Sequence, residues 1–378
     1  MNSMNDWNKI YNEYPVNQEL IWLNNCGTTP AGNRAIKDVT RYLEAYSRMG
    51  VFNETEKYPT VKRRITEILT SILNSDSEEI GIIHNTSEGM NFISHGLNLQ
   101  SGDEILLLEN EYPSNVYPFQ HWEEKGVSLK FTPMANTPKE FLENFKSSLS
   151  PKTKVVSLSL VHWCTGMPLP IEEIGNICRE RNIELVIDGA QGVGLIPVDV
   201  KKMNISYMAF PAWKWLLGPL GLGGIFVAKD RLATMKTIFK GQNSVVNADE
   251  YLPYKNQIRS GAERFEYSTS NFTDWVYWKS TLEMLFEIGF SNVQERIYSL
   301  QSYLADGLRK KGYTIYSDSY PEVKTGILAC EKAGSDSASL VKHLRENKVI
   351  SAVRLNRVRL APHIYNSFEQ LDKVIELL

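Results

Sequence analysis

The sequence predicts an α/β fold, in which a mostly parallel sheet is covered by helices on both faces and a smaller α+β domain follows. Strand-like apolar runs alternate with amphipathic helical runs from about residue 60 to 228, the pattern of a sheet buried on both sides. Past residue 262 the order changes to long helices followed by short strands. A chain of 378 residues is long enough for two cores.

TVKRRITEILTSIL repeats its apolar residues at helical spacing, and the unbroken apolar run IGIIH is the first strand of the series. A helix starts at Ser87, where small hydroxyl residues precede Met90, Ile93 and Leu97 on one helical face. The strand EILLL follows, then a helix near NVYPFQHWEEKG, the strand SLKFT, a helix in KEFLENFKSSL and the strand KVVSLSLV. IEEIGNICRERN reads as helix, and ELVID, ISYMAF and GGIFVA read as strands. Residues 240–271 are expected to form a long loop, which in a compact domain is usually functional or bridging. WVYWKSTLEMLFEIG and VQERIYSLQSYLADGLRKKG are long helices, followed by YTIYS, TGILAC, the helical SASLVKHLREN, the stretch VISAVRLNRVRLAP and a closing helix in FEQLDKVIELL. The expected division is a large domain over residues 20–261 and a small domain over 262–378, with residues 1–19 packed on the latter.

Net charge is −3 and the pI is near 6.1, with Lys and Arg dispersed, so no nucleic-acid or anionic-membrane footprint is expected. The start MNSMNDWNKIYNEYP lacks the basic residues and apolar core of a signal peptide, and no apolar run approaches a membrane span. A soluble, cytoplasmic protein is expected. Cys26, Cys164, Cys178 and Cys330 show no metal-site or redox spacing and are read as reduced thiols, with no metal site.

The most informative stretch is IELVIDGAQGVGLIPVDVKKMNISYMAFPAWKWLLGPLGLGG, in which Asp188 and Lys214 each follow an apolar run. Both would stand at carboxyl ends of neighbouring strands, where ligands of parallel sheets gather. Taken alone, the aspartate would be a helix cap and the lysine a solvated surface residue. Lys214, however, is flanked by Trp213 and Trp215, and burial disfavours the ammonium form, as a Schiff-base nucleophile requires. The chemistry that wants this pair is pyridoxal phosphate catalysis, with the amine as Schiff-base former and the acid holding the pyridine nitrogen protonated.

Other segments add to the pair. HNTSEGMNF offers a helix N-terminus able to hold a phosphate dianion, and NEYPSN puts Tyr112 at the top of the sheet, where an aromatic can stack on a ring. RLNRVRLAP supplies Arg354, Arg357 and Arg359, any of which can make paired hydrogen bonds to a carboxylate. In SLVHWCTG, His162 and Cys164 are candidate second acids or bases.

With these motifs in this order, the chain from about residue 20 to 370 resembles the class V aminotransferase family of fold-type I pyridoxal phosphate enzymes. That group also holds cysteine desulfurases, isopenicillin N epimerase-like proteins and kynureninase. The resemblance implies a seven-stranded, mostly parallel sheet in a large domain. It implies that Asp188 pairs with the ring nitrogen, that Gln191 reaches the ring oxygen and that Lys214 carries the cofactor. It further implies Thr86 and Ser87 at the phosphate, Tyr112 over the ring and Trp213 on the cofactor side. Thr269 of YSTSN would cross to the cofactor of a second copy, so a homodimer with shared active sites is implied. Asn25 of WLNNCGTTP and Arg359 would bind substrate.

The chain departs from the family in places. The region ENKVISAVRLNRVRLAP lacks the desulfurase cysteine. Trp213 and Pro211 stand where many members have phosphate-contacting side chains, and Trp163 stands where desulfurases have an asparagine. The resemblance implies an enzyme acting on an amino acid through an external aldimine and a Cα carbanion, as an aminotransferase or a Cα/Cβ lyase. An epimerase of the isopenicillin N type is the alternative, and a catalytically inactive binding protein on the same fold is an alternative of another class.

Overall fold

The structure is a computed structural model that describes residues 6–50, 58–254 and 256–378. Residues 1–5 and 51–57, which fall in the expected domains, and Lys255 of the expected long loop lie outside the described residues.

Among the described residues the strands are β1 (Ile21–Trp22), β2 (Ile80–Ile83), β3 (Glu104–Leu108), β4 (Ser128–Thr132), β5 (Thr153–Ser159), β6 (Glu184–Asp188), β7 (Tyr207–Pro211) and β8 (Gly223–Val227), then β9 (Thr314–Ile315), β10 (Leu328–Glu331), β11 (Val349–Ile350), β12 (Ala352–Arg354) and β13 (Arg357–Leu360). A seven-stranded sheet has the order β2-β8-β7-β6-β5-β3-β4. Neighbours from β7 through β4 pair in parallel, and β8 runs antiparallel to both β2 and β7. The expected strands of the large sheet are therefore all present.

Burial on both faces explains the unbroken apolar runs. In β3, Ile105 and Leu107 join the core that holds Met90 and Ile93 of the helix Thr86–Gly96, while Leu106 and Leu108 join the opposite core, with Ile174 of the helix Ile171–Glu180. Gly89 lets the first of these helices lie close on the sheet. A Cβ there would stand 2.6 Å from Ala209 Cβ and from Ile83 Cδ1, so a larger residue would lift the helix and its N-terminus off the strand ends.

A second sheet, β12-β13-β10-β9, is antiparallel and packs on the helix Phe290–Lys310 through Leu300, Leu304 and Leu308. The short pair β1–β11 ties the N-terminal segment to the C-terminal part, with Ile21 opposite Val349 and Trp22 opposite Ile350. No described helix is long and apolar enough to cross a membrane.

The sequence reading differs from the structure in two places. It assigned nothing between residues 30 and 58, where the helix Asn33–Met49 lies. Its apolar residues Ile36, Val39, Leu43, Tyr46 and Met49 recur at helical spacing, yet the helix buries only Ala35 and Tyr42 and leaves Ile36, Leu43, Tyr46 and Met49 exposed. Polar contacts add to its hold on the helix Phe272–Ile288, through paired Arg34–Glu287 hydrogen bonds of 2.6 and 2.7 Å and a Ser280–Asp38 bond of 2.7 Å. The expected helix near 115–126 is a 3-10 run, Tyr117–Lys125, with proline at its second residue.

Candidate active site

The carboxyl ends of β5, β6 and β7 open into a cavity of about 430 Å³. Asp188 is the last residue of β6, paired in register with Ser159 of β5 and Ala209 of β7. Its side chain is buried, and Oδ1 accepts a 2.8 Å hydrogen bond from the Ala190 N–H. Burial pushes this carboxyl above its ordinary range, while the Ala190 N–H and the Lys214 charge pull it back.

Lys214 follows β7 on a tight turn. Gly218 N–H bonds Ala212 O at 2.8 Å, and Leu217 holds a left-handed φ of 56°, a conformation that costs a leucine about 1 kcal/mol or more. Burial brings the ammonium down to about 8; the Asp188 charge opposes this, and Arg359 and Arg354 add to it. Nζ lies 5.7 Å from the centre of the Tyr112 ring. The two flanking tryptophans have separate functions. Trp215 is buried and donates its indole N–H to Gln191 Oε1 at 3.0 Å, whereas Trp213 is half-buried on the cavity wall, with its carbonyl accepting from Thr29 Oγ1 at 3.1 Å.

Gln191 is fixed at both ends of its amide, since Nε2 donates to Cys26 O at 3.0 Å while Oε1 accepts from Trp215. One Nε2 hydrogen stays unused, at the cavity wall. At one side of the cavity stands the N-terminus of the helix Thr86–Gly96, capped by Asn85, whose side chain accepts from Glu88 N at 2.9 Å. Thr86 and Ser87 line the cavity there, and Ser87 Oγ meets Ser114 Oγ at 2.7 Å. The free N–H groups and dipole of this end favour a phosphate. The wall also carries Arg354 and Arg359. Arg359 is 3% exposed and donates to Trp163 O at 2.6 Å, while its Nε has no partner.

The cavity thus brings together Asp188, Lys214, Gln191, Tyr112, Trp213, Thr86, Ser87 and Arg359. Asn25, His162, Cys164, Thr269 and Arg357, all expected candidates, fall outside its lining. Asn25 is fully buried, with Nδ2 on Ala361 O at 2.7 Å and Oδ1 accepting from Tyr365 OH at 2.7 Å, so it clamps the fold; Cys26 and Gly27 line the cavity instead. His162 is buried with Nδ1 against Thr165 Oγ1 at 2.9 Å, and burial lowers its ring to about 4, so it stays neutral and away from the cavity. Its neighbour Cys164 is spent on Arg354 O at 3.3 Å. Thr269 is exposed, in a separate depression beside Tyr267.

A carboxyl that the sequence reading passed over lies behind Asp188. Glu111 is buried, and its oxygens accept from Tyr112 N (2.8 Å), Ser159 Oγ (2.7 Å), Ser159 N (3.0 Å) and Asn115 Nδ2 (3.2 Å). Burial, then the Asp188 charge, raise it from 4.5 to about 7 despite these donors. A carboxyl raised by folding holds its proton more tightly in the native state. Its stabilising contribution is complete below the unfolded value of 4.5 and is lost as pH rises through 7, to a total of roughly 3 kcal/mol. Glu111→Gln is therefore expected to flatten the fall in apoprotein stability between about pH 5 and pH 8. Urea unfolding at the two pH values checks this, and an unchanged difference would remove Glu111 as its source.

The fold and site define a class: α/β proteins that hold an amine-bearing lysine and a buried acid at the strand ends of one mostly parallel sheet. Residues 21–354 match the model of the family described as Aminotransferase class-V, and the chain belongs to that family. It is 28% identical over 365 residues to an uncharacterized aminotransferase of Schizosaccharomyces pombe, covering 95% of this chain and 91% of the relative. It is 24% identical over 388 residues to a probable cysteine desulfurase of Pyrococcus abyssi, covering 98% and 96%. Among solved structures, an apo cysteine desulfurase of Thermococcus onnurineus NA1 superposes with a TM-score of 0.89 at 21% identity, covering 100% of this chain and 98% of the other. A complex of the cystine C-S lyase C-DES with its product, cysteine persulfide, gives 0.88 at 24% identity, covering 96% and 98%. These likenesses confirm the fold-type I architecture.

Proposed function

We propose that the chain is a pyridoxal phosphate-dependent enzyme acting on an amino acid, as an aminotransferase or a Cβ lyase. One observation carries this reading: Lys214, with its amine brought to about 8, shares a cavity with the buried carboxylate of Asp188. The residues present fit the cofactor, with a capped helix N-terminus for the phosphate, an acid for the ring nitrogen, an aromatic face and a nucleophilic amine.

When bound, pyridoxal phosphate supplies an electron sink for the pair released at Cα. Asp188 keeps a proton on the ring nitrogen, Gln191 offers its spare N–H to the ring oxygen, and Tyr112 covers the ring face. Thr86 and Ser87 hold the phosphate, with Trp213 alongside. Lys214 takes the Cα proton and returns it. Arg359 orients the substrate carboxylate through its unpartnered Nε. Relatives named cysteine desulfurase share the fold, but residues 347–362 of this chain hold no cysteine, so a sulfur acceptor on that segment is absent.

Thr269 would serve the site of a second copy. Exposed Leu220, Tyr251, Leu252 and Tyr254 supply apolar surface for such a homodimer. Of the three described sheets, the seven-stranded one lies within the proposed large domain over 20–261 and the four-stranded one within the proposed small domain over 262–378 with 1–19, while the β1–β11 pair joins the two. Four free, buried cysteines fit a reducing compartment, the cytoplasm.

The test is purified protein with added pyridoxal phosphate. A visible absorption band, fixed by borohydride onto the Lys214 peptide, is expected; its absence sinks the cofactor assignment. With an amino-acid panel, keto acid plus aminated cofactor marks an aminotransferase, and ammonia or sulfide with free cofactor marks a lyase. Light scattering should give twice the 43.1 kDa chain mass, and a monomer would end the shared-site reading.

A further inference from the structure

Two guanidiniums share the substrate wall, and the described residues supply neither with an anion. Arg359 on β13 pairs in register with Ala352 on β12, and Arg354 lies two residues further along β12, on the same face and diagonal to Arg359. Like charges so placed repel, and burial followed by the Arg359 charge presses against the protonated form of Arg354. The hydrogen bonds they make go to backbone carbonyls: Arg354 to Val353 O at 2.7 Å and Arg359 to Trp163 O at 2.6 Å. Among the described residues no carboxylate forms an ion pair with either. Arg357, opposite Arg354 in the register, has settled elsewhere, with its guanidinium 3.7 Å from the centre of the Tyr316 ring.

The charges in the cavity can be assigned in turn. Asp188 is the one acidic side chain in its described lining, and it belongs to the ring nitrogen. The cofactor phosphate goes to the helix N-terminus. An amino acid with a neutral side chain brings a single α-carboxylate, enough for Arg359. Arg354 would then stay partly desolvated beside another cation with nothing to neutralise it, which is costly.

Resting on the reading of the site as a pyridoxal phosphate enzyme, we infer that its substrate is an amino acid with a second anionic group on the side chain. Arg359 receives the α-carboxylate and Arg354 receives the distal acid. The specificity-determining residue is Arg354, and the substrate class is that of acidic amino acids and their sulfinate or phosphate counterparts.

Binding of succinate and glutarate, against butyrate and valerate, tests this by calorimetry on the holoprotein and on the apoprotein. The dicarboxylates should bind about 10- to 100-fold more tightly, as a charge-assisted hydrogen-bonded pair provides. Arg354→Gln should erase that margin while leaving monocarboxylate binding in place. Arg359→Gln should weaken both classes, and Arg357→Gln should change neither. Equal affinity for the two classes overturns the inference. So does an Arg354→Gln loss that is equal for both, because the two guanidiniums would then clamp a single carboxylate. The apoprotein arm separates this from the cofactor reading: dicarboxylate preference without a visible band means that the cofactor assignment failed and the paired site did not.

Discussion

Lys214→Ala is expected to lower turnover by about a thousandfold or more and to abolish borohydride-fixed cofactor, while leaving the chain folded. The magnitude follows from the double duty proposed for the amine, as covalent attachment and as proton carrier, since acid–base transfer alone contributes about 10²- to 10⁴-fold. Folding should survive because the amine makes no hydrogen bond among the described residues and is itself disfavoured by burial as an ammonium. Turnover, dialysis-resistant cofactor and urea midpoint together check this. A variant that keeps more than about a tenth of the activity would place the reacting amine elsewhere.

Asp188→Asn is expected to cost about 10²- to 10³-fold in kcat with less effect on KM. Asparagine keeps an oxygen for the Ala190 N–H at 2.8 Å, so the turn should hold. On the proposed reading it lacks the charge that would keep a proton on the ring nitrogen, so the electron sink would be weakened once the substrate is bound. A second sign is built into the same variant. The Asp188 charge raises Lys214 against the effect of burial, so removing it should move the amine below about 8. The pH dependence of borohydride trapping should shift to lower pH; a shift upward, or none, would separate the two groups.

The strands were legible because burial on both faces leaves unbroken apolar runs, and the site was legible wherever a residue follows directly from such a run. Asp188 and Lys214 are of this kind. Glu111 also follows a strand, but a glutamate is so seldom buried that nothing in its neighbours marks it as interior. Asn25 and His162 lie outside the cavity lining for the converse reason. Position along the chain brought both near the strand ends, while their orientation was decided by distant partners, Ala361 and Tyr365 for the one and the local Thr165 turn for the other. The helix Asn33–Met49 carries its signal in the spacing of Ile36, Val39, Leu43, Tyr46 and Met49, a stripe that the structure leaves largely exposed instead of in the core.

The clamp at Asn25 fixes an order of assembly. Its side chain joins Ala361 and Tyr365, and β1 pairs with β11, so the wall bearing Arg354 and Arg359 takes shape only after nearly the whole chain has been synthesised. Because the two bonds join residues 336 and 340 positions apart, this wall is the part of the cavity that depends on the most distant contacts in the chain.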